Sequence, residues 1–301
     1  MKFRLAPLFT GNSETLEISE NEFVAIRTAR RRYLTLLDIE EKFDITIESY
    51  FDYERTRVDL ALRQMVTLHV PHPALAADVR VVNRKLLNLL AAAMLYDDQL
   101  KHDFCVLYGR NSSEWSRVKE RRESLQASSL GYQVAEAVRD HIQHRGLPVN
   151  TLFYQLTSKE SGGERRIQVA TDPYLAVDQL QDDRKIAKGL IERLKEQGKS
   201  VPLTPLLKEY VGCLGALHKT VRDETASGGG AWVGELRLTL QRAQDKFGAT
   251  RVIAAVVLLE DGSQGESHQV FEDLLILREM LLQKNAFLSD LDRMFVTSEQ
   301  P

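Results

Sequence analysis

The chain has 301 residues, 43% hydrophobic and 28% charged, with a net charge of −3. That balance belongs to a globular protein able to fill a core, and the net charge argues against a broad basic nucleic-acid surface while a local groove can still be basic. Its two cysteines, Cys105 and Cys213, have no CxxC spacing, which argues against a disulfide framework or a cysteine zinc site and for two buried small hydrophobes.

Lys2 to Thr10 reads as a short strand or extended arm. The opening residues carry no long apolar run or cleavage signal, and nowhere do 18 apolar residues run together, so a cytoplasmic location is expected. Ser19, with Glu20 and Glu22 behind it, has the form of a helix N-cap followed by acids in the first turn. The helix it opens reaches about Lys42 through Phe23, Ile26, Tyr33, Leu34 and Leu37. It also carries Arg27, Arg30, Arg31 and Arg32, either a solvated face or an RNA-contacting one. A second helical stretch, Phe43 to Leu68, has Ile47, Phe51, Val58, Leu62 and Met65 near the helical period. It breaks at Pro71-His72-Pro73, where His69 and His72 are read as surface residues. A third helix runs from about Leu75 to Leu107. Ser112 or Ser113 caps a fourth, with Trp115, Val118 and Leu125. Ser128-Ser129 kinks that helix or separates it from one ending at Arg145.

Beyond Pro148 the pattern changes. Asn150–Thr157 and Arg166–Thr171 form a hairpin around Gly162-Gly163, ended by Asp172-Pro173. Arg184 to Gln197 is helical and stops at Gly198. Pro202 to Pro205 starts another helix, with Leu206, Tyr210, Leu214, Leu217 and Val221 on one face. Ser227 to Gly230 is the best hinge candidate, and Trp232 to Phe247 is again helical. Val252 to Leu259 fits a buried strand or a buried helical turn, since periodicity alone does not separate them. Asp261 to Glu266 reads as a polar loop, Val270 to Lys284 as an apolar helix, and Leu288 to Phe295 as a last short one. The fold class is therefore mainly α: an up-and-down helical bundle over 1–148 with its N-terminal arm, then a small β-hairpin insertion and a helical extension over 149–301, with packing on the same bundle left open.

The chemistry concentrates in Val134–Pro148, VAEAVRDHIQHRGLP. Val134, Val138 and Ile142 make an apolar stripe, and Gly146 and Pro148 form a stop signal. Arg139 and His144 lie about 140° apart around the helix, flanking one groove. Asp140 and His144 are at i, i+4 and can touch, which would fix the imidazole tautomer. A guanidinium to grip a phosphate and an imidazole to move a proton suit phosphodiester cleavage. The plain alternative is that Arg139 and Asp140 pair with neighbouring charges while His144 bonds a carbonyl at the helix end. His141 and His144, at i, i+3, are two possible metal ligands, but no acidic or cysteine cluster is spaced to complete a site, so no metal and no cofactor is expected. Asp97, Asp98 and His102 share one helix. Asp97 and Asp98 are supporting candidates beside His141. No P-loop, GxGxxG or HExxH motif occurs.

The Arg-x-x-x-x-His pattern of Arg139 and His144, with polar Asp140 after the arginine, resembles the signature of the HEPN superfamily. The longer string AVRDHIQHRGLP, and the upstream NRKLLNLLAAAMLYDDQ (Asn83 to Gln99), are similar to uncharacterised bacterial HEPN-like proteins, over roughly residues 20 to 148. Many members carry Asn or His where this chain has Asp140. The resemblance implies a helical bundle and a metal-independent endoribonuclease of the toxin or anti-phage defence kind. In that reading His144 is general acid or base, Arg139 stabilises the phosphorane and Asp140 orients either. The cleft is shared across a homodimer, and an antitoxin or defence-complex partner restrains it. The alternative is a non-catalytic HEPN-like RNA-binding or adaptor module.

Overall fold

The computed structural model describes residues 1–8, 14–67, 72–161, 164–181, 186–248, 252–261 and 263–286. The chain order is β1 (Lys2–Pro7), β2 (Leu16–Ile18), α1 (Glu20–Thr67), α2 (His72–Tyr108), α3 (Ser113–Ser128), α4 (Leu130–His144), β3 (Val149–Ser161) and β4 (Glu164–Ala176). It continues with α5 (Val177–Gln181), α6 (Lys188–Gln197), β5 (Ser200–Pro202), α7 (Leu203–Phe247), β6 (Val252–Leu258), β7 (Gln264–Phe271) and α8 (Glu272–Lys284). The mainly helical class holds, with two small antiparallel sheets. The short helix expected over Leu288–Phe295 and the Gly162-Gly163 loop lie outside the described residues. So do the start of the helix expected from Arg184, His69, and the side chain of His72.

Contacts divide the chain into two compact units, and both draw on residues from either side of Pro148. The first, among the described residues, comprises 1–8, 14–41, 99–118, 220–248, 252–261 and 263–286. It contains the sheet β2-β1-β6-β7, in which β1 lies antiparallel between β2 and β6 with Leu5 opposite Ala255. The VIAAVVLL run is thus a strand, and Ile253, Ala254, Ala255, Val256 and Val257 are all buried. Gln264 to Phe271 is also a strand, where a polar loop and the start of a helix were expected. Its side chains are mostly exposed, so it shows no apolar alternation to read. Three of the four α1 arginines are used inside this unit. Arg27 binds Glu266 at 3.0 Å, Arg30 Nε donates to the Gln269 carbonyl, and Arg32 lies over the Trp232 ring at 5.4 Å. Neither reading of the basic run describes it fully, because α1 uses most of it to hold β7 and Trp232.

Glu40, nearly buried, takes Arg222 through both carboxylate oxygens at 2.6–3.3 Å, and Arg222 also donates to the Asn285 carbonyl. Losing either partner would leave a buried charge uncompensated. At the start of α1, Ser19 and Glu22 form a reciprocal capping box: Ser19 N donates to Glu22 Oε2 at 2.7 Å and Glu22 N to Ser19 Oγ at 3.2 Å.

The second unit, among the described residues, comprises 42–67, 72–98, 119–161, 164–181 and 186–219, with the sheet β3-β4-β5. Its hairpin runs through Pro173 to Ala176 instead of stopping at Asp172-Pro173. Pro173 pairs with Leu152 on one side. β5 joins the other side only from Tyr174 onward, so the missing proline N–H faces no strand. Arg57 ties α1 to β4, donating to the Thr171 carbonyl at 3.1 Å and to Asp172 at 2.6 Å.

Helix α1 is one helix of 48 residues, where two stretches were expected. Tyr33, Leu36, Glu40, Phe43, Ile47 and Tyr50 are all buried, so the inward stripe keeps its phase through Lys42, and no glycine, proline or cap interrupts it. The apolar positions Phe51, Val58, Leu62 and Met65 turn out exposed, at 40–55%, while Tyr53 and Leu60 face inward. Both sets obey helical spacing, so periodicity does not tell the core face from its opposite.

The glycine run is also helical: α7 passes through Gly228-Gly229-Gly230 without a hinge. Close packing accounts for the first two glycines. A Cβ on Gly228 would sit 2.8 Å from Tyr108 Oη and 3.1 Å from the Trp232 ring, and one on Gly229 would meet Leu36 at 3.0 Å. A Cβ on Gly230 would meet nothing within 4 Å. No helix of the described residues is long and apolar enough to cross a membrane. Chemical denaturation should separate these glycines by sign. Gly230→Ala should stabilise by ~0.5–1 kcal/mol, and Gly228→Ala should destabilise by ~1–3 kcal/mol. A stabilised Gly228→Ala would remove the packing explanation.

Candidate functional site

All the candidate residues lie in the second unit, and α4 carries most of them. Ser129 is its N-cap, accepting from Tyr132 N at 3.0 Å. Glu209 of α7 completes the cap: Ser129 Oγ donates to Oε1 at 2.6 Å and Gly131 N to Oε2 at 3.1 Å. A carboxylate on unpaired amides at a helix N-terminus is stabilised by both the hydrogen bonds and the helix dipole. Gly131 is needed for the approach, since a Cβ there would lie 2.3 Å from the Leu206 carbonyl oxygen. Downstream, Val134 and Val138 of the expected stripe are fully buried, while Ile142 is only half-buried. At the far end Arg145 N and Gly146 N both donate to the His141 carbonyl, at 2.8 and 3.3 Å. Three residues on, the Asn83 side chain holds Val149 as a peptide would, donating to its carbonyl at 2.6 Å and accepting from its N–H at 3.2 Å. Both ends of the segment are therefore fixed.

The six named residues separate into three environments. His141 is on the inward face and 6% exposed. His144 is the last helical residue and exposed. Arg139 lies between, its side chain 28% exposed, with Nε and Nη2 donating to the same Asp140 oxygen, Oδ1, at 3.1 and 3.0 Å. Burial opposes the Arg139 charge. The Asp140 bonds and the fields of Asp140, Glu136 and Asp98 outweigh that, so its pKa stands above the ordinary value.

Asp97 is buried beneath this surface. Its Oδ2 accepts from Tyr132 Oη at 3.2 Å and lies 3.7 Å from Arg122, while Oδ1 has no hydrogen-bond partner among the described residues. Burial pushes the Asp97 carboxyl up from its usual range, against the pull of Arg122 and of the Tyr132 bond. Glu136 is raised for the same first reason, opposed by a bond from Gln126. Burial also raises the Tyr132 and Tyr210 phenols, whose rings meet edge-on with centroids 5.2 Å apart. Asp98 is exposed on the next position of α2.

The fold thus gathers Arg139, Asp140, Asp97 and Asp98 into one electrostatic neighbourhood. It places His144 on the turn beyond and turns His141 inward. Arg122, Tyr132, Glu136 and Tyr210 were not anticipated. Tyr132 and Glu136 share the face of α4 that carries Arg139 and Asp140, at i, i+4 and i, i+7 or i+8, which was a readable signal. Arg122 sits in the charge-rich ERRE run of α3 and gave none. Asp140 also borders a groove of about 390 Å³ with Gln126, Gln133, Glu136, Ala137 and Leu190. A second cavity, about 280 Å³ between α7 and α8 in the first unit, holds none of the candidate residues.

Elsewhere in the second unit His218 is stacked on Phe43 with ring centroids 3.7 Å apart and bonds Tyr96 Oη at 2.9 Å, a buried packing role. Cys105, in the first unit, and Cys213, in the second, are both half-buried, more open than expected. Among the described residues no group of three or more His, Cys, Asp or Glu side chains could hold a metal ion.

The raised Asp97 and Glu136 give a pH dependence with a definite sign. A carboxyl whose folded pKa exceeds its unfolded value binds more protons when folded, so stability falls as pH rises through that window, beginning near roughly 4. Asp97→Asn removes one such group and keeps an acceptor for Tyr132. Urea unfolding at several pH values from acid to neutral should show a smaller loss of stability in the variant than in the wild type. An equal or larger loss would mean that Asp97 is not held above its ordinary value.

Comparison of the chain with protein-family models, with curated proteins and with solved structures finds no match.

Proposed function

We propose that the chain is a metal-independent endoribonuclease with a HEPN-like site, of the toxin or anti-phage defence type, acting in the cytoplasm. The observation that supports this reading most is the end of α4. Its inward face is closed by Val134, Val138 and His141, while Arg139 is partly exposed and His144 exposed. A guanidinium and an imidazole thus both reach solvent on one fixed helix end.

The chemistry follows from what RNA supplies. The 2′-hydroxyl oxygen attacks the adjacent phosphorus as His144 takes or relays its proton. The bond from phosphorus to the 5′-oxygen breaks, and that oxygen leaves with a proton. The products are a 2′,3′-cyclic phosphate and a 5′-hydroxyl, with no oxidant, reductant or metal required. Arg139 stabilises the charge gathering on the non-bridging oxygens. In the free protein Asp140 accepts from Arg139. DNA lacks the 2′-hydroxyl and is not cut by this route. One Arg and one His make half a site, so the reading includes a homodimer whose two α4 ends face each other across a shared cleft. A restraining antitoxin or defence-complex partner belongs to the same proposal.

A second reading, a non-catalytic HEPN-like RNA-binding or adaptor module, is favoured by one observation. The Arg139 charge is already compensated by Asp140, Glu136 and Asp98. Purified protein incubated with single-stranded RNA in EDTA separates the two. The nuclease reading expects cleavage with cyclic-phosphate ends, falling on the order of 10²–10⁴-fold in Arg139→Ala and in His144→Ala with unchanged thermal melts. RNA retained without being cut supports the adaptor. Cleavage indifferent to both substitutions would end the case for this site.

A further inference from the structure

Resting on the nuclease reading, we infer that Asp140 is an internal competitor for phosphate, a latch that occupies the Arg139 grip until its charge is neutralised.

The argument lies in which atoms are used. An arginine holds a phosphate best through one edge of the guanidinium, where two parallel N–H groups meet two oxygens. The Nε–Nη2 edge of Arg139 is one such edge, and both of its nitrogens converge on a single Asp140 oxygen. The latch is also local. Asp140 is the next residue on the same helix, so the contact needs no distant rearrangement to form or break. Both side chains are partly exposed, 28% and 37%, which makes the pair weak enough to be displaced. The surroundings reinforce it. Glu136 and Asp98 add negative potential at the same guanidinium, so an incoming phosphate meets repulsion as well as an occupied grip.

This assigns the acidic neighbourhood a role the chemistry does not otherwise use. The site is held low in affinity for phosphate, and cancelling the Asp140 charge raises it. A nuclease harmful to its host would then be restrained by its own sequence before any partner binds.

The test uses the full chain and inorganic phosphate followed by calorimetry at low salt, with RNA cleavage as a second readout. Asp140→Asn should bind phosphate about 5- to 10-fold more tightly than wild type, less so at high salt. Asp140→Ala, which removes any hydrogen bond the amide might keep, should show a gain at least as large. The gain should vanish when Arg139→Ala is added. Where cleavage occurs, kcat/KM should rise by a similar factor, mostly through KM. Equal or weaker phosphate binding in both Asp140 variants overturns the latch, and so does a gain that survives Arg139→Ala. Cleavage by wild type that is lost in Asp140→Asn also overturns it, since the carboxylate is then needed for the chemistry. If phosphate binding tightens as stated but no variant cuts RNA, the latch stands and the nuclease reading falls.

Discussion

The candidate site depends first on the cap that Glu209 places on α4. One carboxylate satisfies Gly131 N and the Ser129 hydroxyl, and Ser129 in turn satisfies Tyr132 N. This fixes the helix along its axis. The contact of Gly131 with the Leu206 carbonyl fixes it laterally, because only a residue without a Cβ fits there. With position and rotation set, Val134 and Val138 must point inward. Tyr132 and Arg139 must then point at the neighbourhood of Asp97. The polar residues owe their placement to a glycine and a glutamate that take no part in any chemistry.

The second constraint is electrostatic. Asp97 is buried with only one of its oxygens hydrogen-bonded, and Glu136 is raised for the same reason, so two acids stand close to two arginines in partly desolvated surroundings. Such arrangements occur at functional sites and in structural networks alike. What distinguishes this one is its outer layer. Arg139 turns an edge toward Asp140 at the surface, while Arg122 reaches down toward Asp97. The same acids that compensate Arg139 set the field an incoming anion would meet, which is why the latch and the adaptor reading start from one observation.

The elements themselves were largely legible. The cap at Ser19, a cap at Ser112 or Ser113 (Ser112 Oγ takes it, from Trp115 N at 3.2 Å), a kink or break at Ser128-Ser129 and the stop at Gly198 follow from local chemistry: a short polar side chain on free amides, or a residue that does not extend a helix. The errors share a cause as well. The Gly228–Gly230 run reads as a hinge because glycine costs a helix entropy. Tyr108 and Leu36, far away in sequence, need that missing volume together with Trp232 one turn further along the same helix. Pro173 reads as a strand end until one knows that β5 leaves that edge open. Val58, Leu62 and Met65 have the spacing of a core stripe and lie on the opposite face.

The sequence by itself determined the mainly helical class, the amphipathic helix ending near His144 and the presence of Arg139, Asp140 and His144 on its last turns, because these depend on spacing within a few residues. Only the tertiary structure decided that Asp97 lies beneath Tyr132, that Arg122 joins it, that His141 faces inward while His144 faces out, and that Glu209 holds the whole segment. Those facts join α2, α3, α4 and α7 across 25 to 80 residues of chain. Contacts at that range are set by how helices pack, and local periodicity carries no record of them.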